Sequence, residues 1–159
     1  MKICGSVVFK NSLVRGLFDN GVARLLSWCW PQLQALSFGG ADIDGAGLLA
    51  VALNCQHLKV LELFHARGVA EDNAKSVCKH GLKELHTLIF THTPVQAATL
   101  LCFLQTLNLH SLHVELTQRD FFTKSKYRKF QPEYAKISKA LKAVQKNLKY
   151  KDVLDITWS

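Results

Sequence analysis

The chain has 159 residues, 48% hydrophobic and 20% charged, a balance that suits one globular domain with a real core and excludes a disordered chain. Its longest apolar stretches, 48–53 and 97–104, fall far short of the roughly 20 residues a membrane-spanning helix needs, and residues 1–10 lack the apolar region of a secretory signal. The net charge of +8 is uneven: residues 1–119 carry 10 basic and 8 acidic side chains, whereas 120–159 carry 10 and 4, so the basic character belongs to the C-terminal quarter.

In chain order, Val7 and Phe9 read as alternating positions of a first strand, and Asn20-Gly21 breaks the chain before a helix expected over 22–28. Nothing ahead of this unit reads as the polar cap that the exposed end of a stacked array needs. The expectation is a piece of a longer protein, or a form whose cap a partner supplies. Leu33-x-x-Leu36-x-Phe38 follows and returns as Leu58-x-x-Leu61-x-Leu63, Leu85-x-x-Leu88-x-Phe90 and Leu109-x-x-Leu112-x-Val114, with starts 25, 27 and 24 residues apart. Between these strands lie turn signals and helical runs. Gly39-Gly40 turns the chain, and Asp44 is the expected N-cap of a helix over 45–54 that packs Leu48, Leu49, Val51, Ala52 and Leu53. Gly68 marks the next turn before a more polar helix over 70–79 that buries Ala74, Val77 and Cys78. Pro94 is expected in the first turn of a third helix, through Ala97, Ala98, Leu100, Leu101 and Phe103.

The pattern stops over 118–132, where Lys124, Lys126, Arg128 and Lys129 alternate with Phe121, Phe122, Tyr127 and Phe130. Pro132 then precedes an expected helix in which Tyr134, Ile137, Leu141, Val144 and Leu148 are spaced 3, 4, 3 and 4 residues apart, an apolar seam with Lys136, Lys139, Lys142, Lys146 and Lys149 on the other faces. Leu154, Ile156 and Trp158 alternate with Asp155 and Thr157 as in a half-buried strand. The organisation expected is a solenoid over 1–117, a basic aromatic insertion over 118–132, and a helix and strand over 133–159 that close the same domain.

The spacing is that of a leucine-rich repeat, whose units cannot bury their apolar faces alone and must stack. It predicts an α/β fold, a short right-handed β-α superhelix of about five coils, with parallel strands on the concave face and helices on the convex face. Cys29, Cys55, Cys78 and Cys102 lie 26, 23 and 24 residues apart, one per unit at the end of its helical half. Such periodicity marks small buried side chains rather than disulfides, in an intracellular protein. The units over 33–55 and 58–78, with these cysteines, resemble the cysteine-containing leucine-rich repeats of F-box proteins, over roughly 28–116. In that family an F-box near the N-terminus binds an adaptor of a cullin-type ubiquitin ligase and the repeats hold the substrate; no F-box motif is read in this sequence. The resemblance therefore implies substrate recognition, with the adaptor bound through a segment not in this sequence.

If the strands stack in register, alternation sends the leucines inward and sets Ser37, Glu62, Ile89 and His113 in one row, with Gly39, Phe64, Thr91 and Glu115 beside it. An aromatic and an aliphatic anchor among carboxylates suit a protein surface, so a partner is expected here, with the chain a monomer within a complex. Cys55-x-His57 and Cys78-x-His80 fall in different registers of their units, which argues against zinc. No Gly-rich phosphate loop, His-Glu-x-x-His or Gly-x-Ser-x-Gly is found, so no enzyme and no cofactor is expected. The alternative is a basic scaffold or assembly factor that binds an acidic partner or nucleic acid through Lys124, Lys126, Arg128 and Lys129, since lysines attract phosphates and rings stack on bases. The expected location is cytoplasmic, nuclear or both.

Overall fold

The repeated leucines become the inner rungs of one parallel ladder. In the computed structural model the backbone is described for residues 6–10, 28, 32–39, 45–66, 69–121 and 127–159, and the side chains for all of these except 6–10 and 127–132. Strands β1 (Ser6–Lys10), β2 (Ala35–Gly39), β3 (Val60–Phe64), β4 (Thr87–Thr91), β5 (Ser111–Leu116) and β6 (Leu154–Trp158) form a single six-stranded sheet in chain order. Every neighbouring pair is parallel. Helices α1 (Gly45–Asn54), α2 (Glu71–His80), α3 (Ala97–Thr106) and α4 (Tyr127–Gln145) provide the returns. The result is an α/β architecture of stacked strand-and-helix units, solenoid-like in layout.

Period-two alternation decides which side chains enter the core. Leu36, Leu61, Leu88, Leu112 and Leu154 are in register across five strands, as are Phe38, Leu63, Phe90, Val114 and Ile156. All ten are buried, and they join Leu48, Val51, Ala74, Val77, Leu100 and Phe103 from the helices in one apolar cluster. Phe90 and Phe103 pack with ring centroids 5.9 Å apart, tying β4 to α3. At roughly 1.5–3 kcal/mol per fully buried large side chain, this cluster dominates the stability of the chain.

Helices α2 and α3 are held by packing more than by capping. Neither Ala70 nor Gln96, the N-caps of α2 and α3, accepts a first-turn N–H with its side chain. In α2 the charge distribution compensates, with Glu71 and Asp72 in the first turn and Lys79 and His80 in the last, each favourably placed on the helix dipole. Gly81 follows, its N–H donating to the Val77 carbonyl at 2.9 Å. Its Cα lies so close to the Ala52 carbonyl of α1 that a Cβ has no room there. Thr93, fully buried, closes a polar account inside the core: its hydroxyl accepts from the Ala66 N–H at 3.2 Å and lies within donating reach of the Leu63 and Thr91 carbonyls.

Four expectations need correction. Pro94 stands ahead of α3 rather than in its first turn, because Val95 is held in extended backbone by a parallel bridge to Val69. Helix α4 starts at Tyr127 and not after Pro132, so the second half of the expected insertion is helical. The helix runs through Pro132 and forgoes the bond its N–H would have made to the carbonyl four residues back. Leu148 is 80% exposed and lies past the end of α4 at Gln145, where the Lys149 N–H donates to the Asn147 side chain and turns the chain away from the seam. Cys102 sits in the middle of α3 and is only half buried, whereas Cys55 and Cys78 are buried. Of the first unit's helix only Trp28 is described, helical and 70% exposed; Cys29, Asn20 and Gly21 lie outside the described residues.

Candidate functional site

The sheet face turned away from the helices carries every residue of the two expected rows. Register sets Ser37, Glu62, Ile89, His113 and Asp155 side by side, and next to them Gly39, Phe64, Thr91, Glu115 and Thr157. Asp155 and Thr157 extend the rows onto β6, one strand further than the repeat spacing reaches. Apart from Gly39, which is buried under its neighbour Phe64, these residues are half-buried or exposed, unlike the leucines between them.

Hydroxyl groups hold the central carboxylate in place. The Ser37 hydroxyl donates to Glu62 Oε2 at 2.7 Å and the Thr91 hydroxyl to Glu62 Oε1 at 3.2 Å. Both donors are neutral, so they orient the carboxylate without cancelling its charge. Glu62 is thus a fixed negative centre, with Phe64 two residues along its own strand and Ile89 in register beside it.

Histidines line the rim, and the repeat motif does not mark them. His65 and His92 each follow a strand directly, adopt a left-handed backbone conformation (φ 50° and 48°), and stack with ring centroids 5.0 Å apart. The His65 N–H donates to the Thr91 carbonyl and the His92 N–H to the Glu115 carbonyl, so the ladder continues one residue past the strands. His92 places Nδ1 3.4 Å from Asp120 and Nε2 3.7 Å from Glu115. His113 Nδ1 lies 2.9 Å from Asp155. At the strands' entry edge His86 stacks on His110 at 4.6 Å, and His57 meets Glu84 at 3.2 Å. The signal for this rim was a histidine directly after two of the strand motifs, visible only once the stacking register is known. Among the described residues no three His, Cys, Asp or Glu side chains converge as a metal site.

The buried thiols are unsuited to nucleophilic work. Desolvation by burial pushes Cys55 up to about 11, and burial together with the neighbouring Cys102 pushes Cys78 up to about 12. A cysteine nucleophile needs the opposite shift. A cleft of about 580 Å³ lies apart from the face, between Gly45, Glu71, Asn73, Pro94, Gln96 and Phe121.

The basic segment is placed only in part. Lys124 and Lys126 lie outside the described residues; Arg128 and Lys129 fall in the first turn of α4, on backbone alone. Further along, Lys136, Lys139, Lys142, Lys146 and Lys149 are all exposed. Lys142 lies over the Trp158 ring at 5.8 Å and Lys149 over Tyr150 at 5.5 Å. No helix among the described residues is long and apolar enough to cross a membrane.

One parallel sheet with its helices on one face and a polar, aromatic-bearing strand face on the other defines an α/β protein of stacked, solenoid-like units. No family model matches the chain. Over 140 residues, 87% of its length, it is 34% identical to F-box only protein 41 of Mus musculus, and equally to F-box only protein 41 of Homo sapiens. The matched segment is 16% of those proteins, so the chain spans about a sixth of the relatives it matches. This identity supports a relationship to F-box proteins, the group that the cysteine-bearing repeats resemble.

Proposed function

We propose that the chain is a leucine-rich-repeat interaction module of an F-box-type protein, non-catalytic, which holds a protein partner on its strand face within a ubiquitin-ligase assembly. The observation that carries this reading is the register: five strands place Phe64 and Ile89 on an open face around a fixed Glu62, an anchor-and-rim composition of the kind protein interfaces use. The F-box relatives support the ligase context, and a ligase adaptor would be bound by a segment outside this sequence. On this reading 1–117 is the solenoid, the stretch from 118 leads into the closing helix, and 133–159 completes the same domain in a cytoplasmic or nuclear protein. The raised thiols support the non-catalytic role.

The test is a photo-crosslinking residue placed at Ile89 or at Lys139 of the chain expressed in cells. Adducts with other proteins formed from position 89, and lost with Phe64→Ala, support the reading. Adducts from 139 alone would overturn it and favour the scaffold reading, in which the five exposed lysines of 136–149 meet an acidic partner or nucleic acid.

A further inference from the structure

The strand face has a charge opposite to that of the chain that carries it. The chain holds 20 Lys and Arg against 12 Asp and Glu. Yet from β2 to β6 the outward positions of the sheet contain Glu62, Glu115 and Asp155 and no Lys or Arg. Lysines gather instead on and after α4, six between Lys136 and Lys151. Among the four formally charged residue types the face therefore carries negative charge alone, set among apolar anchors.

We infer, resting on the strand-face reading above, that this face receives an extended basic segment of a protein partner, with one arginine over Glu62 and Phe64 and a second cation at Asp155. The geometry fixes the spacing. Glu62 and Asp155 lie in one row, three strands apart, with Ile89 and His113 between them. Three interstrand steps span about 14 Å, which an extended peptide at about 3.4 Å per residue covers in four residues. Residues i, i+2 and i+4 of such a peptide share one side. The pattern that fits is Arg-x-Leu-x-Arg, lying across the strands, its central apolar side chain between Ile89 and His113.

The chemistry at the first position is specific. Glu62 has both oxygens oriented by the Ser37 and Thr91 hydroxyls, and a carboxylate oxygen that accepts one bond keeps capacity for another. A guanidinium can engage both oxygens together and lay its plane on Phe64, which a lysine ammonium does less well. Asp155 is exposed and its bond to His113 is a single contact, which leaves its second oxygen to the incoming cation.

Fluorescence anisotropy with a labelled eleven-residue peptide centred on Arg-x-Leu-x-Arg tests the inference on the intact 159-residue chain at low salt. The expected result is binding that weakens at least tenfold with Glu62→Gln, with Asp155→Asn, with Glu in place of both arginines, or with the arginines moved to a spacing of three. Lys139→Glu with Lys142→Glu should leave it intact. Glu62→Gln keeps an acceptor oxygen for one hydroxyl and offers its NH2 as a donor to the other, which can turn to accept it, so a folded variant is expected, and its circular dichroism spectrum checks this. Binding indifferent to Glu62→Gln, or absent altogether, overturns the inference. If position 89 still crosslinks to proteins in that case, the face is an interface of another chemistry; if it does not, the strand-face reading falls as well. Self-association that both Glu62→Gln and Lys139→Glu abolish would make a second copy the occupant and equally overturn the basic-segment assignment.

Discussion

Gly81→Ala sets two effects of opposite sign against each other at one position. Gly81 has extended backbone, φ −162° and ψ −162°, so alanine suffers no penalty of handedness there. Restricting the unfolded chain would by itself stabilise the protein by about 0.4–1 kcal/mol. Against this, the new Cβ meets the carbonyl oxygen, carbonyl carbon and Cα of Ala52 at the end of α1. These are backbone atoms of a buried residue and cannot swing aside, so α1 and α2 must separate, at about 1–3 kcal/mol for overpacking of this kind. With backbone atoms this close the cost lies in the upper part of that range, about 2–3 kcal/mol, so the clash wins by roughly 1–2.6 kcal/mol, which for a chain of this size lowers the melting temperature by roughly 2–10 °C. Gly45→Ala is the control. Its Cβ meets the half-buried Asn73 side chain instead of backbone: the amide can rotate away but the Asn73 Cβ cannot, so part of the clash persists, offset in part because alanine is the better helix former. Thermal unfolding followed by far-UV circular dichroism should therefore show Gly81→Ala well below the parent and Gly45→Ala between the two. A Gly81→Ala melting temperature equal to or above the parent's would refute the reasoning.

Three other outcomes are expected. Thr93→Val, nearly isosteric, should cost about 1–3 kcal/mol in urea unfolding because it strips the Ala66 N–H of its acceptor, whereas Thr99→Val, whose hydroxyl only donates to the Val69 carbonyl, should cost less. Timed alkylation at pH 8 with mass-spectrometric readout should label Cys102 before Cys55 or Cys78, since thiols near 11 and 12 are ionised at about one part in a thousand or fewer; prompt labelling of Cys78 in the folded chain would contradict this. Because the fold favours the neutral form of these two thiols, their contribution is fully present below the ordinary value of 9.0 and fades as pH rises toward 11 and 12. Urea midpoints should accordingly fall above pH 9, and less steeply in Cys55→Ala, a difference that a titration from pH 7 to 10.5 would expose.

What the sequence made legible follows from what its repeat constrains. Leucines at fixed spacing pin the register of β2 to β5, so Ser37, Glu62, Ile89 and His113 could be set in one row by counting. A slip of one residue would have turned every leucine outward. The same counting fails across the step from β5 to β6, where no repeat spacing applies, and so Asp155 and Thr157 were recognised as strand residues but not as members of the rows. His65 and His92 were hidden for another reason: their positions depend on left-handed backbone after the strand, which hydrophobic periodicity does not report. Pro132 misled in a physical way. Proline is most at home at a helix start, yet here α4 begins five residues before it.

The stride between facing residues is 25 from Ser37 to Glu62 but 42 from His113 to Asp155. Closing the longer loop adds only about 0.5 kcal/mol of chain entropy, because that term grows with the logarithm of length. The last step can therefore absorb added sequence almost without penalty to the sheet. That makes the junction after β5 the place in this architecture where new chain could be gained, lost or exchanged over evolutionary time while the rows on the strand face keep their alignment.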